Sequence, residues 1–214
     1  MCMKNTIFET KDLAFNAQIY YQDIKIIKDK VNFIVGASGT GKSSLLRLFN
    51  GTLSPSGGEI YYQSTNILEM DTIELRKEVS LISQSVFLFD ESIRENFRLF
   101  YDYRGLDKPS DHMMEEYLKI CNISFSLDKD CTTMSGGERQ RVYLAIFLSF
   151  MPKVIMLDEP TSALDKDNGL TVIQNVVDFC KNNNITVIII SHDNHLTQSF
   201  GENIIIIGKE GINE

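Results

Sequence analysis

The chain lacks the features that mark a membrane-spanning or secreted protein. No apolar run approaches about 18 residues, the minimum for a helix that crosses a bilayer. The N-terminus shows no basic and then apolar segment of the kind that directs secretion. We therefore expect a chain without a membrane span, so that any role at a membrane must come through another chain.

Cysteine and basic residues also show no informative clusters. The four cysteines have neither the paired spacing of a metal site nor the density of a disulfide scaffold, which predicts reduced thiols. The 21 Lys and Arg residues form no basic block and are outnumbered by 29 Asp and Glu residues. The resulting net charge of −8 argues against nucleic acid as the main partner.

The composition is that of an ordinary soluble globular domain. Of 214 residues, 43% are hydrophobic and 23% are charged, and we find no repeats or low-complexity stretches. This length suits one α/β domain with a core large enough to fold alone.

The most informative segment is 135–140, which has the sequence Ser-Gly-Gly-Glu-Arg-Gln. Paired glycines let a backbone approach a ligand closely and expose its N–H groups. A helix starting at Glu138 would add the positive end of its dipole. The segment predicts an anion-binding cap, yet no phosphate-binding loop lies beside it in sequence. It needs a nucleotide presented from elsewhere, which predicts a dimer.

A phosphate-binding loop lies about a hundred residues upstream of this cap. It matches G-x-x-x-x-G-K-[ST] and lies between a predicted strand, 31–35, and a predicted helix, 43–49, which makes a chance glycine-rich turn a poor alternative. Backbone N–H groups would surround the β-phosphate, Lys42 would lie between the β- and γ-phosphates, and the Ser43 hydroxyl would bind Mg²⁺. The predicted ATP-binding residues are Gly36, Ala37, Ser38, Gly39, Thr40, Gly41, Lys42, Ser43 and Ser44.

Two carboxylates follow the apolar run 154–157. Four consecutive apolar residues predict a strand covered on both faces, as in a parallel sheet. Chemistry in such sheets lies at the carboxyl ends of the strands. Asp158 would hold Mg²⁺ through water, and Glu159 would polarise the attacking water. The alternative is that the pair merely begins the next helix, as an N-cap.

Three further polar residues are candidates for the same site. Gln84 ends the apolar segment 79–83, Asp165 follows 162–164 just past the Asp-Glu pair, and His192 follows the apolar run 185–191, which predicts a parallel strand. Gln84 could offer its amide oxygen to Mg²⁺ or to the attacking water, although a Gln at such a position is more often a surface residue. Asp165 is, taken alone, an ordinary acidic residue at a helix start. His192 could donate to a γ-phosphate oxygen or could be purely structural. Each signal is weak alone, and the ordered set is strong.

Together these motifs resemble the nucleotide-binding subunit of ATP-binding cassette (ABC) transporters, over essentially the whole chain. Segment 36–43 matches the Walker A loop, Gln84 the Q-loop, and 154–159 the Walker B strand with its glutamate. Segment 162–165 matches the D-loop and His192 the H-loop. Ser135, Gly136, Gly137 and Glu138 match the signature, although Met134 and Glu138 stand where the family more often has Leu and Gln.

The resemblance implies a fold, a reaction and partners. The fold would be α/β, with a P-loop NTPase core (residues 1–85 and 151–214), an ABC-type antiparallel β segment, and an inserted α-helical subdomain over about 86–150. Two copies would meet head to tail, each closing its signature over ATP and Mg²⁺ held by the other. Hydrolysis of ATP would then drive separate transmembrane subunits, with the chain on the inner face of the cell membrane. Gln84, Glu159 and His192 would be catalytic, and Asp165 would belong to the D-loop.

The expected adenine-stacking aromatic is missing. Ala17 stands about where the family places it, and the stretch from Phe15 to Gly36 is a few residues short. Tyr20 or Tyr21 could take over the stacking, with Phe15 as a weaker choice. The alternative is that all three side chains only pack.

An aromatic-rich stretch follows Gln84. Most of these residues are expected in the core of the helical segment, whereas Phe87 and Phe89 could form an apolar socket for a helix of a membrane subunit.

A second function class stays open, namely a regulatory ABC-type ATPase of a membrane or DNA-associated complex that moves no solute. The DNA-repair members of the family carry long coiled-coil insertions. Only about 50 residues without sustained heptads lie between Gln84 and Ser135, which counts against that branch. Among transporters, segment 150–153 before the Walker B strand and segment 165–168 at the end of the D-loop resemble those of compact stand-alone cassettes of metal exporters. The solute is chosen by the membrane chain.

Overall fold

Two sheets of five strands each form the framework of the described part of the chain, residues 5–162 and 166–208 of a computed structural model. The strands are β1 Thr6–Phe15, β2 Ile19–Tyr20, β3 Lys25–Ile27, β4 Val31–Val35, β5 Gly57–Tyr62, β6 Thr65–Asn66, β7 Val79–Ile82, β8 Val154–Asp158, β9 Thr186–Ile190 and β10 Asn203–Ile206. The helices are α1 Lys42–Phe49, α2 Thr72–Glu78, α3 Ile93–Tyr103, α4 Asp111–Ile120, α5 Gly136–Ser149, α6 Lys166–Asn182 and α7 Asn194–Phe200.

One sheet is parallel and has the strand order β10-β4-β9-β8-β7. The chain crosses over between β4 and β7, between β7 and β8, and between β8 and β9, and helices lie in these connections. Because all five strands run in the same direction, their carboxyl ends meet at one edge. The loops that follow β4, β7, β8 and β9 therefore start side by side.

The strands of this sheet alternate between two hydrophobic cores. Ile155 and Leu157 of β8 face a core formed with α3 to α7. Val154 and Met156 face a second core, formed with the antiparallel sheet and α1. Burial on both faces explains the unbroken apolar runs in the sequence, because a strand covered on each side needs apolar residues at every position.

The second sheet is antiparallel, with the strand order β2-β1-β5-β6 and with β3 also pairing with β1. It covers the core beside α1, where the Phe8 and Phe49 rings stack with centroids 4.6 Å apart. Both of these side chains are fully buried.

Helices α3, α4 and α5 occupy the stretch that was predicted to be helical, and no strand lies between Val86 and Phe150. Phe97 and Tyr101 are buried there, while Phe87 and Tyr103 are exposed. Thus only part of the aromatic-rich stretch is core. The division of the chain into subdomains at 86 and 150 stays a prediction.

The predicted elements agree with the structure to within two residues for the strand and helix around the phosphate-binding loop, for β8 and for β9. The predicted start of the signature helix at Glu138 is wrong, because α5 begins at Gly136. Ser135 is its N-cap, so the two glycines form the first turn rather than a loop before it. No helix within the described ranges is both long and apolar enough to cross a bilayer.

We expect Phe49→Ala to lower the free energy of unfolding by about 3–5 kcal/mol, because it removes a fully buried ring and leaves a cavity against Phe8. Urea unfolding would measure this loss. The control is Ile73→Ala, whose side chain is 64% exposed and which should stay within about 0.5 kcal/mol of the parent. Equal effects of the two substitutions would contradict the assigned core.

Candidate functional site

The loop between β4 and α1 depends on glycine at two positions. A Cβ at Gly36 would run into the carbonyl of Ile207. Gly41 has φ +89° and is the N-cap of α1, and a Cβ there would lie 2.6 Å from the Tyr21 hydroxyl. Within the loop, the Thr40 hydroxyl donates to the Ala37 carbonyl at 2.9 Å. The loop conformation is therefore held by its own sequence.

Lys42 places its ammonium inside this loop. Its Nζ donates to the carbonyls of Gly36 at 2.9 Å and Ala37 at 2.8 Å, and the residue is only 6% exposed. An ammonium has three N–H donors, so one remains for an anion. The neighbouring Ser43 is exposed, and Ser44 is half-buried.

Asp158 ends β8 and points toward the start of α1. Burial is the main cause that raises the pKa of its carboxyl, and the neighbouring Glu159 carboxylate raises it further. A hydrogen bond from Ser43 is the largest opposing effect, followed by the positive charges of Arg47 and Lys42. A buried carboxylate paired with a hydroxyl forms an oxygen-rich site that favours a cation.

Glu159 collects contacts from two other strand ends. Its Oε1 lies 3.2 Å from His192 Nε2. Its Oε2 accepts from Gln84 Nε2 at 3.4 Å. The three residues follow β8, β9 and β7, so the parallel order of the sheet brings them together. Gln84 presents its amide nitrogen to this carboxylate, not the amide oxygen that was expected to face Mg²⁺ or water.

The backbone at Glu159 is unusual for a residue with a side chain. Its φ is +50°, in the left-handed region that costs a non-glycine residue of order 1–3 kcal/mol. Hydrogen bonds hold it there, since Glu159 N donates to the Ile190 carbonyl at 3.0 Å and Ser162 N donates to the Glu159 carbonyl at 3.1 Å. The turn directs the carboxylate toward Gln84 and His192.

The signature, residues 135–138, forms a complete capping box. The Ser135 hydroxyl accepts from Glu138 N at 3.3 Å, and the Glu138 carboxylate accepts from Ser135 N at 2.7 Å. The hydrogen bond from the Ser135 backbone is the main reason why the pKa of Glu138 is lowered. The acidic residue at this position thus fulfils a local role.

Over the described residues, no hydrogen bond or ion pair links 135–138 to the loop 36–43. Among the described residues, a Cβ built at Gly136 would meet no heavy atom within 4 Å other than those of its chain neighbours and of its own helix backbone. Packing among the described residues does not explain this glycine, and the space beside it is open to a ligand or to a second chain.

The two adenine-stacking candidates have different environments. Tyr21 is 5% exposed, and its hydroxyl donates to the Gly41 carbonyl at 2.9 Å, so it supports the phosphate-binding loop from behind. Burial raises the pKa of its hydroxyl to about 12. Tyr20 is 62% exposed, and Phe15 is half-buried against the second core. Asp165 lies outside the described residues.

Sequence reasoning missed the supporting role of Tyr21 and the cap beside His192. The Ser191 hydroxyl accepts from Asp193 N at 3.0 Å, and Asp193 in turn caps α7 through His195 N at 2.8 Å. The Ser-x-Asp spacing was a visible signal for this turn. Tyr21 left no comparable signal, because its contact joins residues 20 positions apart.

Comparison with known proteins decides the family. The family model described as ABC transporter matches residues 22–162. The chain belongs to the ABC transporter family. This membership fits the loop, the strand-end carboxylates and the signature described above, and it identifies the chain as an ATP-binding domain.

Individual relatives agree with this assignment. The chain is 31% identical over 197 residues to the methionine import ATP-binding protein MetN 2 of Bacillus thuringiensis, covering 90% of this chain and 58% of that protein. It is 31% identical over 195 residues to the phosphonates import ATP-binding protein PhnC of Wolinella succinogenes, covering 85% and 71%. The chain thus spans 58% of the length of the methionine import protein.

A solved structure extends the similarity to the fold. The dimeric post-hydrolysis state of the ATP-binding cassette MJ0796, bound to ADP and Pi, matches with a TM-score of 0.80 and 26% identity over 94% of each chain.

We expect Asp158→Asn to raise the free energy of unfolding of the nucleotide-free chain at pH 7, by about 0.5–2 kcal/mol, the range common for single stabilising substitutions. The reason is that a folded-state pKa above the unfolded one makes the ionised carboxylate destabilising. The gain should be complete above the folded-state pKa and should vanish below about pH 4, where Asp is protonated in both states.

Urea unfolding at several pH values would test this expectation. Asp193→Asn, at an N-cap outside the phosphate-binding loop, is a control that should give no such gain. A destabilising Asp158→Asn at pH 7, or a gain that grows toward low pH, would contradict the argument.

Proposed function

We propose that this chain is the ATP-hydrolysing subunit of a membrane transporter and that it works as a head-to-tail homodimer. The observation that carries the proposal is the meeting of Glu159, Gln84 and His192 at one sheet edge, beside Lys42 and Asp158. Nucleotide hydrolysis needs a base, polar groups in contact with that base, and a loop that binds phosphate.

The triphosphate would lie over the loop 36–43. The backbone N–H groups at the start of α1 would face the β-phosphate. The third N–H of the Lys42 ammonium would form a hydrogen bond with a phosphate oxygen. The present carbonyl contacts of Lys42 keep the ammonium within reach of that position.

The residues fit a Mg²⁺ ion. The Ser43 hydroxyl and the Asp158 carboxylate already form a hydrogen-bonded pair of oxygen donors, and burial makes the lone carboxylate costly. When bound, Mg²⁺ would neutralise charge on the β- and γ-phosphates. Gln84 would join this set only if its amide turned its oxygen inward, since its nitrogen now faces Glu159.

Glu159 is the proposed general base. Its carboxylate would accept a proton from the water that attacks the γ-phosphorus, and Gln84 and His192 would hold that carboxylate in place. His192 would also donate to a γ-phosphate oxygen when nucleotide is bound. We propose Asp165 as part of the contact between the two chains.

The signature would complete the site of the opposite chain. The space beside Gly136 is open in the described part of the chain. The start of α5 would offer its backbone N–H groups and the positive end of its dipole to a γ-phosphate there. The dimeric, ADP- and Pi-bound state of the similar cassette MJ0796 supports this arrangement.

Tyr20 is the proposed adenine-stacking residue. Its ring is exposed, and its sequence neighbours Ile19 and Tyr21 lie against Gly41 of the loop. The ring of Tyr21 is buried, and its hydroxyl is already used. Phe15 packs against the second core and is a weaker choice.

A membrane subunit would dock on the loop that follows Gln84, residues 85–92, which we call the docking loop. Phe87 is 60% exposed at its surface and packs edge-on against Phe89, with ring centroids 4.9 Å apart. Such an exposed aromatic pair suits the apolar face of a partner helix. Docking there would place the chain at the inner face of the membrane. The import names of the two relatives support a transporter role and give no support to metal export.

Three single substitutions test the two-chain site. Glu159→Gln should bind ATP with Mg²⁺, lose about 100-fold or more in hydrolysis rate, and accumulate as a dimer on size exclusion. Lys42→Ala should lose nucleotide binding. Ser135→Arg should bind ATP as a monomer, because it blocks the cap and leaves the loop intact. Normal hydrolysis by Ser135→Arg would contradict the proposal.

The docking loop can be tested separately with native membranes. We expect Phe87→Ser to keep ATP binding and thermal stability, because the side chain is exposed, and to lose most of its recovery with the membrane fraction. Ile73→Ser, equally exposed on α2, is the matched control and should be recovered like the parent. Equal recovery of the two variants would show that the membrane subunit does not dock on this loop.

A further inference from the structure

The docking loop and the segment before the signature are joined by backbone pairing. Ser92 and Asp130 form an antiparallel bridge. Next to it, Cys131 N donates to the Glu91 carbonyl at 3.0 Å. These residues are far apart in sequence, yet they form one strip that starts in the docking loop and ends four residues before Ser135.

The Asn96 side chain holds this strip in place by hydrogen bonds. It lies on α3, is fully buried, and accepts from Phe89 N at 2.8 Å through its Oδ1. Its Nδ2 donates to the carbonyls of Phe89 at 3.1 Å and Ser92 at 3.0 Å, and it contacts Cys131 Sγ at 3.5 Å. A buried amide with all these contacts leaves the docking loop little freedom to move alone.

Arg139 joins the signature helix to the same strip. This residue directly follows the signature, in the first turns of α5. Its Nη1 donates to the Cys131 carbonyl at 2.6 Å, and its Nη2 donates to the Leu88 carbonyl at 3.2 Å. The guanidinium is a rigid fork, so the two carbonyls and α5 are held in one geometry.

We propose that Arg139 is a positioning residue that makes the signature and the docking loop move as one body. Closure of the signature over a nucleotide would then shift the docking loop, and a partner bound to that loop would bias closure by the same factor. This inference rests on the proposed function, since it assumes that the signature caps nucleotide held by a second chain.

Arg141 provides a matched control on the same helix. Its Nη1 donates to the Asn122 carbonyl at 2.6 Å, and its Nε lies 3.4 Å from the Gly137 carbonyl. It therefore ties α5 to the segment that follows α4, and over the described residues it forms no hydrogen bond or ion pair with the docking loop. Replacing either arginine by lysine keeps the charge and removes the fork.

The experiment places a fluorescent label in the docking loop of the full chain. Asp90 is exposed and becomes cysteine, in a Glu159→Gln and Cys2→Ser background, while Cys121, Cys131 and Cys180 are buried. ATP with Mg²⁺ is added. The same labelled chain with Ser135→Arg in addition should stay monomeric. Its fluorescence change measures the effect of nucleotide within one chain, including an effect transmitted through Gln84. The remaining response is the part that depends on the dimer.

We expect Arg139→Lys to lower the dimer-dependent response by about fivefold or more, and Arg141→Lys to leave it at the parent value. A dimer of Arg139→Lys with an undiminished response overturns the inference. Arg139→Lys could also fail to dimerise. In that case, a melting temperature and a monomer response equal to those of Arg141→Lys support the inference. A lowered melting temperature indicates a merely structural role for Arg139 and overturns the inference.

The two proposals fail in different ways. A parent chain that dimerises with ATP but does not move the label overturns only the role of Arg139. A parent chain that stays monomeric with ATP overturns the proposed function as well.

Discussion

The common direction of the five core strands is the constraint on which the site depends. Because β4, β7, β8 and β9 are parallel, the loops at their carboxyl ends begin side by side. The register pairs Asp158 with Ile190, so the carboxylates after β8 lie next to the turn that carries His192. Reversing any one of these strands would move its polar residue to the opposite edge. The chemistry is thus assembled by topology from residues that are distant in sequence.

At this edge of the sheet, the charged side chains suit a ligand that carries both negative and positive charge. Lys42 is buried and spends two of its three donors on backbone carbonyls, while burial raises the pKa of Asp158. Each group is costly without a partner of opposite charge. A polyphosphate with its divalent cation would satisfy both at once. The left-handed turn at Glu159 adds strain at the residue that is proposed as the general base.

The sequence predicted the parts whose signals are local. The strand at 154–157 follows from burial on both faces, and the loop at 36–43 follows from glycines that the backbone requires. The beginning of α5 was misplaced because glycine was taken as a loop former, whereas Ser135 and Glu138 close a capping box around it. The role of Tyr21 and the split of the aromatics between core and surface depend on tertiary packing. Spacing along α3 does not show which of its faces meets α5.

In the proposed dimer each nucleotide lies between two chains, and interchain cross-linking can test this placement. One chain would carry Ser38→Cys in the exposed loop and the other Ser135→Cys, both in a background with Glu159→Gln and Cys2→Ser. We expect a disulfide between the two different chains that forms rapidly with ATP and Mg²⁺ and slowly without them. A cross-link that ignores nucleotide, or none at all while ATP is bound, would contradict it.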